Sequence, residues 1–218
     1  MQKRTRYALG LALVAAVVVG AGAAARQDAV KTHIGHVTTG FQGTPNGQGL
    51  LPTALGEAKV AAQHAALAMK SEGNLDQMKL HVGHVLHALD PSAEPKGPGL
   101  GYGLARAAQG VAQHIQLAAK SDGASKNVMT HSTHVATSAE NVVKWSAEIV
   151  AMAKEVRAAT DAKAAAGHVA HINMLAQQIV AGVDADKNGQ VGWQAGEGGL
   201  QQAETHMNLL LKGEGVAQ

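Results

Sequence analysis

A chain of 218 residues with a formal charge of +2 and only five aromatic side chains has neither the basic stripe nor the interleaved rings of a nucleic-acid binder. It contains no cysteine, which removes disulfide staples, thiolate metal sites and covalent attachment of c-type haem. What it carries in excess is histidine, twelve in all, against 16 acidic and 18 basic residues.

The chain opens on a positive start, Lys3, Arg4 and Arg6, followed by an apolar run from Tyr7 to Val19 and the small-residue stretch "AGAAARQDA". That order reads as an export signal cleaved after Ala25. The alternative is that Ala8 to Ala25 stays on as an N-terminal membrane anchor. No second apolar run has spanning length, so the mature chain is expected to be periplasmic or secreted, without a membrane span.

Beyond residue 25 the pattern is helical throughout, rich in alanine and without strand alternation. The expected helices are 28–39, 53–71, 75–89, 102–120, 125–157, 161–182 and 199–212. Their boundaries fall at "SEGN", "DPSAEPKGPG", "SDGA" and "DADKNG", all strong turn or breaker sequences. Short turns imply antiparallel neighbours, so the fold class is all-α, an up-and-down helical bundle of repeated hairpins.

The chain also repeats itself. Residues 47–73, "GQGLLPTALGEAKVAAQHAALAMKSEG", match 97–123, "GPGLGYGLARAAQGVAQHIQLAAKSDG", without a gap. The register continues until His81 and His84 fall on His131 and His134. The division that follows is a signal peptide over 1–25, duplicated His-rich hairpins over 26–140, and a C-terminal hairpin over 141–218.

The histidines come in two kinds. His64, His114 and His206 stand alone, each with a small or apolar residue three before and leucine three after, which places them on the apolar stripe. Eight others form pairs three apart: His33 and His36, His81 and His84, His131 and His134, His168 and His171; His87 follows His84 at the same interval. Within each pair lies a small residue, and Val37, Val85, Val135 or Ile172 follows four after the first histidine as its anchor in the core. His84 and His87 read as the more exposed members of their helix.

A single histidine on an apolar face is ordinarily a core residue bonded to a carbonyl. Repetition shifts the balance. An unmet buried nitrogen costs ~1–3 kcal/mol, and one shared metal ion meets several at once. Two imidazoles three apart plus a third from a facing helix make a three-His site, suited to Zn, Cu, Ni or Fe. Consecutive helices give three expected sets. They are His64 with His81 and His84, His114 with His131 and His134, and His168 and His171 with His206; His33 and His36 are free to join any of them. Ligation needs neutral imidazole, so release is expected between about pH 6.5 and 5.

The competing cofactor is haem b held by two histidines in a bundle, which would make the chain an electron-transfer cytochrome. A third reading is a partner-binding bundle whose histidines sense pH. No di-iron Glu-x-x-His, His-Glu-x-x-His or serine-elbow pattern occurs, so the chain reads as a binder rather than an enzyme.

One further signal is "DADKNGQVGW". Asp184, Asp186, Asn188 and Gly189 occupy positions one, three, five and six of an EF-hand calcium loop, but Ala195 stands at position twelve. The candidate calcium set is therefore Asp184, Asp186, Asn188, Gln190 and Glu197, with Glu197 recruited from two residues further on. Helices of the "HVGHV" type alternating with Gly-rich or Asp-x-Asp-x-Asn-Gly loops resemble a group of exported bacterial helical-hairpin repeat proteins. The resemblance covers most of 28–212 and implies export and a structural cation at the Asp loop. It names no ligand for the histidines, and the chain departs from the pattern at 141–165.

Overall fold

The computed structural model describes residues 29–216. The export leader expected over 1–25 lies outside the described residues. Among those described there is no strand; the fold is an all-α bundle. Its helices are α1 (29–38), α2 (Leu50–Lys70), α3 (Leu75–Leu89), α4 (Leu104–Lys120), α5 (Lys126–Ala158), α6 (Ala162–Ala181) and α7 (Leu200–Gly213). A single 3-10 turn, Pro45–Gly47, interrupts the first loop. None of the described helices is long and apolar enough to cross a membrane.

Local chemistry sets these boundaries. The Asn74, Ser125 and Asp161 side chains accept from the backbone N–H three residues on and so start α3, α5 and α6. The helices that carry the lone histidines begin differently, each on a glycine N-cap followed by a fully buried leucine: Gly49–Leu50, Gly103–Leu104 and Gly199–Leu200. Each glycine lies against the end of an earlier helix. A Cβ on Gly199 would sit 2.6 Å from the Gln178 carbonyl oxygen of α6, and one on Gly49 would collide with the Thr38 backbone at the end of α1. The recurring Gly-Leu is thus a crossing point where the chain steps off one helix end and drops a leucine into the core.

The apolar side chains form one core cluster, from Val30 in α1 to Leu210 in α7. The long α5 packs against α4, α6 and α7, and α2 packs against α3, α4 and α6. The helix faces are built largely of alanine (Ala54, Ala58, Ala61, Ala65 and Ala68 on α2), so the backbones come close.

The core also holds an acid. Glu57 on α2 is fully buried, and its carboxylate accepts three backbone N–H bonds from the loop before α4: Leu100 at 3.0 Å, Tyr102 at 2.9 Å and Gly103 at 3.0 Å. This clamp explains why the sequence-matched stretches 47–73 and 97–123 do not fold alike at their start. Leu50 starts α2, but its counterpart Leu100 stays in the loop and α4 begins at Leu104. The position matching Glu57 in the second copy is Ala107, which can hold no loop. In Glu57→Gln the amide would face a backbone donor with another donor. The expected loss is about 3 kcal/mol, or ~6–12 °C in Tm for a chain of this size, read by a thermal melt in chelator. An unchanged melt would mean the loop does not depend on the charge.

Candidate metal centres

Nine of the twelve histidines converge in three groups of three: His33, His36 and His114; His64, His81 and His84; His131, His134 and His206. In each, a pair from one helix meets a lone histidine from another, all half-buried. Three different helix pairings build them, α1 with α4, α3 with α2, and α5 with α7.

The three geometries nearly coincide. The lone histidine's Nδ1 lies 3.1 Å from the Nδ1 of the first member of its pair in every case. It lies 3.3, 3.2 and 3.3 Å from that of the second. The ring planes agree as well. The lone ring is tilted 35°, 31° and 33° to the first ring and stands at 80°, 79° and 69° to the second.

These distances carry chemical information. Two nitrogens bound tetrahedrally to one ion at ~2.0–2.1 Å lie about 3.3 Å apart, so the distances from the lone histidine to its two partners are compatible with ligands sharing a single ion. Hydrogen bonding alone serves the cluster poorly. A neutral imidazole Nδ1 either donates one proton or offers one lone pair, so the central ring cannot bond well to both neighbours. A cation meets three lone pairs at once. The same distances disfavour haem: an iron between two trans axial imidazoles separates their nitrogens by about twice a metal–nitrogen bond, ~4 Å, with the porphyrin plane between them.

Electrostatics follows from position. Burial holds His33, His64, His84, His114 and His134 below the ordinary 6.5, and the neighbouring histidines of each group add to it. His206 is pushed down to about 4 by burial and then by His134 and His131. These six rings therefore stay neutral into pH values where isolated imidazole is protonated.

The set His64, His81 and His84 comes together as expected, across the short turn at residues 71–74. The other two sets do not. His114 turns away from His131 and His134 and meets His33 and His36. His206 meets His131 and His134 and leaves His168 and His171 on α6 outside every three-ligand group among the described residues. Helix periodicity places a ring on a face but does not say which neighbour that face meets. The anchors behave as the spacing requires: Val37, Val85, Val135 and Ile172 are all fully buried. The leucine three after each lone histidine does not, for Leu117 is 45% exposed and Leu209 43%. The triads thus sit at the rim of the core.

His87 corrects another expectation. It is 8% exposed rather than open, its Nδ1 lies 2.8 Å from the Glu94 carbonyl oxygen, and Gly97 packs on its Cβ. This is the core histidine bonded to a carbonyl, realised at one position. The bundle also proves less poor in buried acids than its composition suggests, with Glu57 and Glu197 both enclosed.

Two aromatic neighbours escaped sequence reasoning. Phe41 stands edge-on to His36 and His114, with ring centres 5.4 and 5.1 Å away. Trp193 stacks on His134 at 3.9 Å and 18°. Both come from the Gly-rich loops before a lone-His or partner helix, and an aromatic in such a loop was the available signal in so aromatic-poor a chain.

The Asp loop folds on itself. Asp184 accepts from the Asn188 and Gly189 N–H groups, and Asp186 accepts from Asn188. Gln190 N–H donates to the Asn188 side chain. Glu197, 4% exposed, accepts from Asp186 N–H at 3.3 Å and Gly192 N–H at 3.0 Å. Ligand oxygens of Asp184, Asp186 and Glu197 lie within 4.8 Å of one another and can hold a metal ion. Asn141 of α5, 4% exposed, fixes the loop from below by accepting from Gly196 and donating to the Gln194 and Gly198 carbonyls. Compared with known proteins, the chain matches no family model, no curated protein and no solved structure.

Proposed function

We propose that this is an exported protein that binds three divalent d-block ions, one per histidine triad, and carries or buffers them outside the cytoplasm. One observation bears the weight. Three different helix pairings arrive at the same Nδ1 spacing, 3.1 Å to the first ring and 3.2–3.3 Å to the second. The sequence figure of each pair recurs, but the helix pairings differ, and core packing alone gives no reason for all three to end at the same nitrogen spacing. All-nitrogen ligation suits Zn²⁺, Cu²⁺, Ni²⁺ or Fe²⁺ over thiolate-seeking ions. Three protein ligands leave a coordination position for water or an incoming ligand, which favours a site that exchanges its ion over one that only braces the fold.

The leader-like start, with Lys3, Arg4 and Arg6 before an apolar run, supports export to the periplasm. The Asp loop is proposed to take one Ca²⁺ through Asp184, Asp186 and Glu197, fixing the angle at which α7 returns.

The test is stoichiometry. Native mass spectrometry of the mature chain with Zn²⁺ should show three tightly held ions. With Ca²⁺ it should show one ion that Asp184→Asn abolishes without changing the zinc count. Protein that takes up fewer than three Zn²⁺, or shows a Soret band when isolated from its source, would overturn the metal reading.

A further inference from the structure

The fourth His-x-small-His pair, His168 and His171 on α6, has the spacing of the other three pairs and the same fully buried anchor, Ile172. It meets no lone histidine. His168 is half-buried and His171 is exposed. We infer that His168 and His171 are one half of a fourth metal site, for a tetrahedral divalent ion such as Zn²⁺, completed by the same two histidines of a second copy of this chain.

Three features of α6 favour that occupant. First, two histidines three apart on one helix can turn both rings toward a common point, as the triad pairs do with ring centres 5.8–5.9 Å apart, and His168 and His171 would take up that pairing on binding an ion. Two such pairs facing each other across a two-fold axis supply four imidazoles, the full set for a tetrahedral ion. Second, the face of α6 around the pair lets another helix come close. Ala164, Gly167 and Ala170 are exposed, and nothing lies near a Cβ built on Gly167. Met174, three after His171, is 49% exposed and gives the approaching helix an apolar contact. Third, the face is small. One helix face buries well under the ~1,200–2,000 Å² of a stable interface, so the ion itself must hold the pair together. The dimer is therefore metal-dependent, and its ion is shared at half an equivalent per chain.

The inference extends the metal-binding reading but is tested apart from it. Sedimentation equilibrium of the mature chain is followed during titration with Zn²⁺. The expected result is a monomer in chelator and a dimer once zinc passes three equivalents, with a further half equivalent taken up as the dimer forms. His171→Ala and His168→Ala/His171→Ala should stay monomeric with three ions. The triple variant His64→Ala/His114→Ala/His206→Ala should still dimerise on about half an equivalent. A dimer in chelator, a monomer at saturating zinc, or a zinc-dependent dimer that survives His168→Ala/His171→Ala would each overturn it. Failure of the triads alone would lower uptake by the monomer and leave the dimer-forming half equivalent untouched.

Discussion

His114→Ala and His87→Ala should part company. The first should lose one of three bound zinc ions while the apoprotein melts almost where the wild type does. The second should keep all three ions and melt lower. The contrast rests on what each ring touches. His114 supplies the central nitrogen of its triad, 3.1 and 3.3 Å from its two partners. Loss of a direct ligand should weaken that site by more than the 10–100-fold typical of losing an outer partner. His87 has no partner imidazole; its ring is enclosed and bonded to the Glu94 carbonyl. Its removal leaves a cavity and an orphan acceptor, a loss of about 2–3 kcal/mol. Calorimetry with and without zinc reads both quantities. With free zinc at 100 times Kd, each occupied site adds ~2.7 kcal/mol, so three add about 8 kcal/mol. That corresponds to a rise in Tm of ~16–32 °C for the wild type. For His114→Ala the rise should shrink by about a third. Equal loss of zinc in the two variants would show that the triads are not the sites.

Acid should destabilise the metal-free protein through the same histidines. The sign follows from their lowered proton affinity. Above pH 6.5 a ring such as His206 is neutral in both folded and unfolded chains and contributes nothing. Between 6.5 and about 4 the unfolded chain takes up a proton that the folded one refuses, and stability falls as pH falls. Below about 4 both are protonated and the loss is complete. His33, His64, His84, His114 and His134 shift in the same direction and add to the slope. Urea midpoints of the chelated protein should therefore drop steadily from pH 7 to pH 4. Zinc release should also move below the pH 6.5–5 window set by ordinary imidazoles, with the triad containing His206 last to empty. Trp193, stacked on His134, supplies the fluorescence signal for that triad. A flat urea midpoint across this range, or release complete by pH 6, would contradict the account.

What the residues disclosed, and what they withheld, follows from the range of each interaction. The helices at 75–89 and 126–158 lie within a residue of where caps and breakers put them, because capping is decided within one turn of chain. The buried valine four after the first histidine of a pair is equally local, and it correctly turned the pairs toward the core edge. The partnering of His114 was not legible. The duplicated unit pointed to His131 and His134, and α4 and α5 do pack together, but their histidines face opposite neighbours, α1 and α7. Only the assembled bundle decides that. His87 was misjudged for a related reason: helix periodicity reports burial against other helices, whereas this ring is covered by a loop, at Glu94 and Gly97.

The triads also differ in how much chain they close. The ring formed through His64 spans 17–20 residues of a single hairpin, whereas those through His114 and His206 span 78–81 and 72–75. The longer closures cost about 1.3 kcal/mol more in chain entropy. A polypeptide emerging N-terminus first can trap an ion in its first hairpin while the C-terminal half is still being delivered. If the triads bind ions as proposed, the order of loading follows from the connectivity, with the hairpin filling first and the two long-range clasps locking the assembled bundle afterwards.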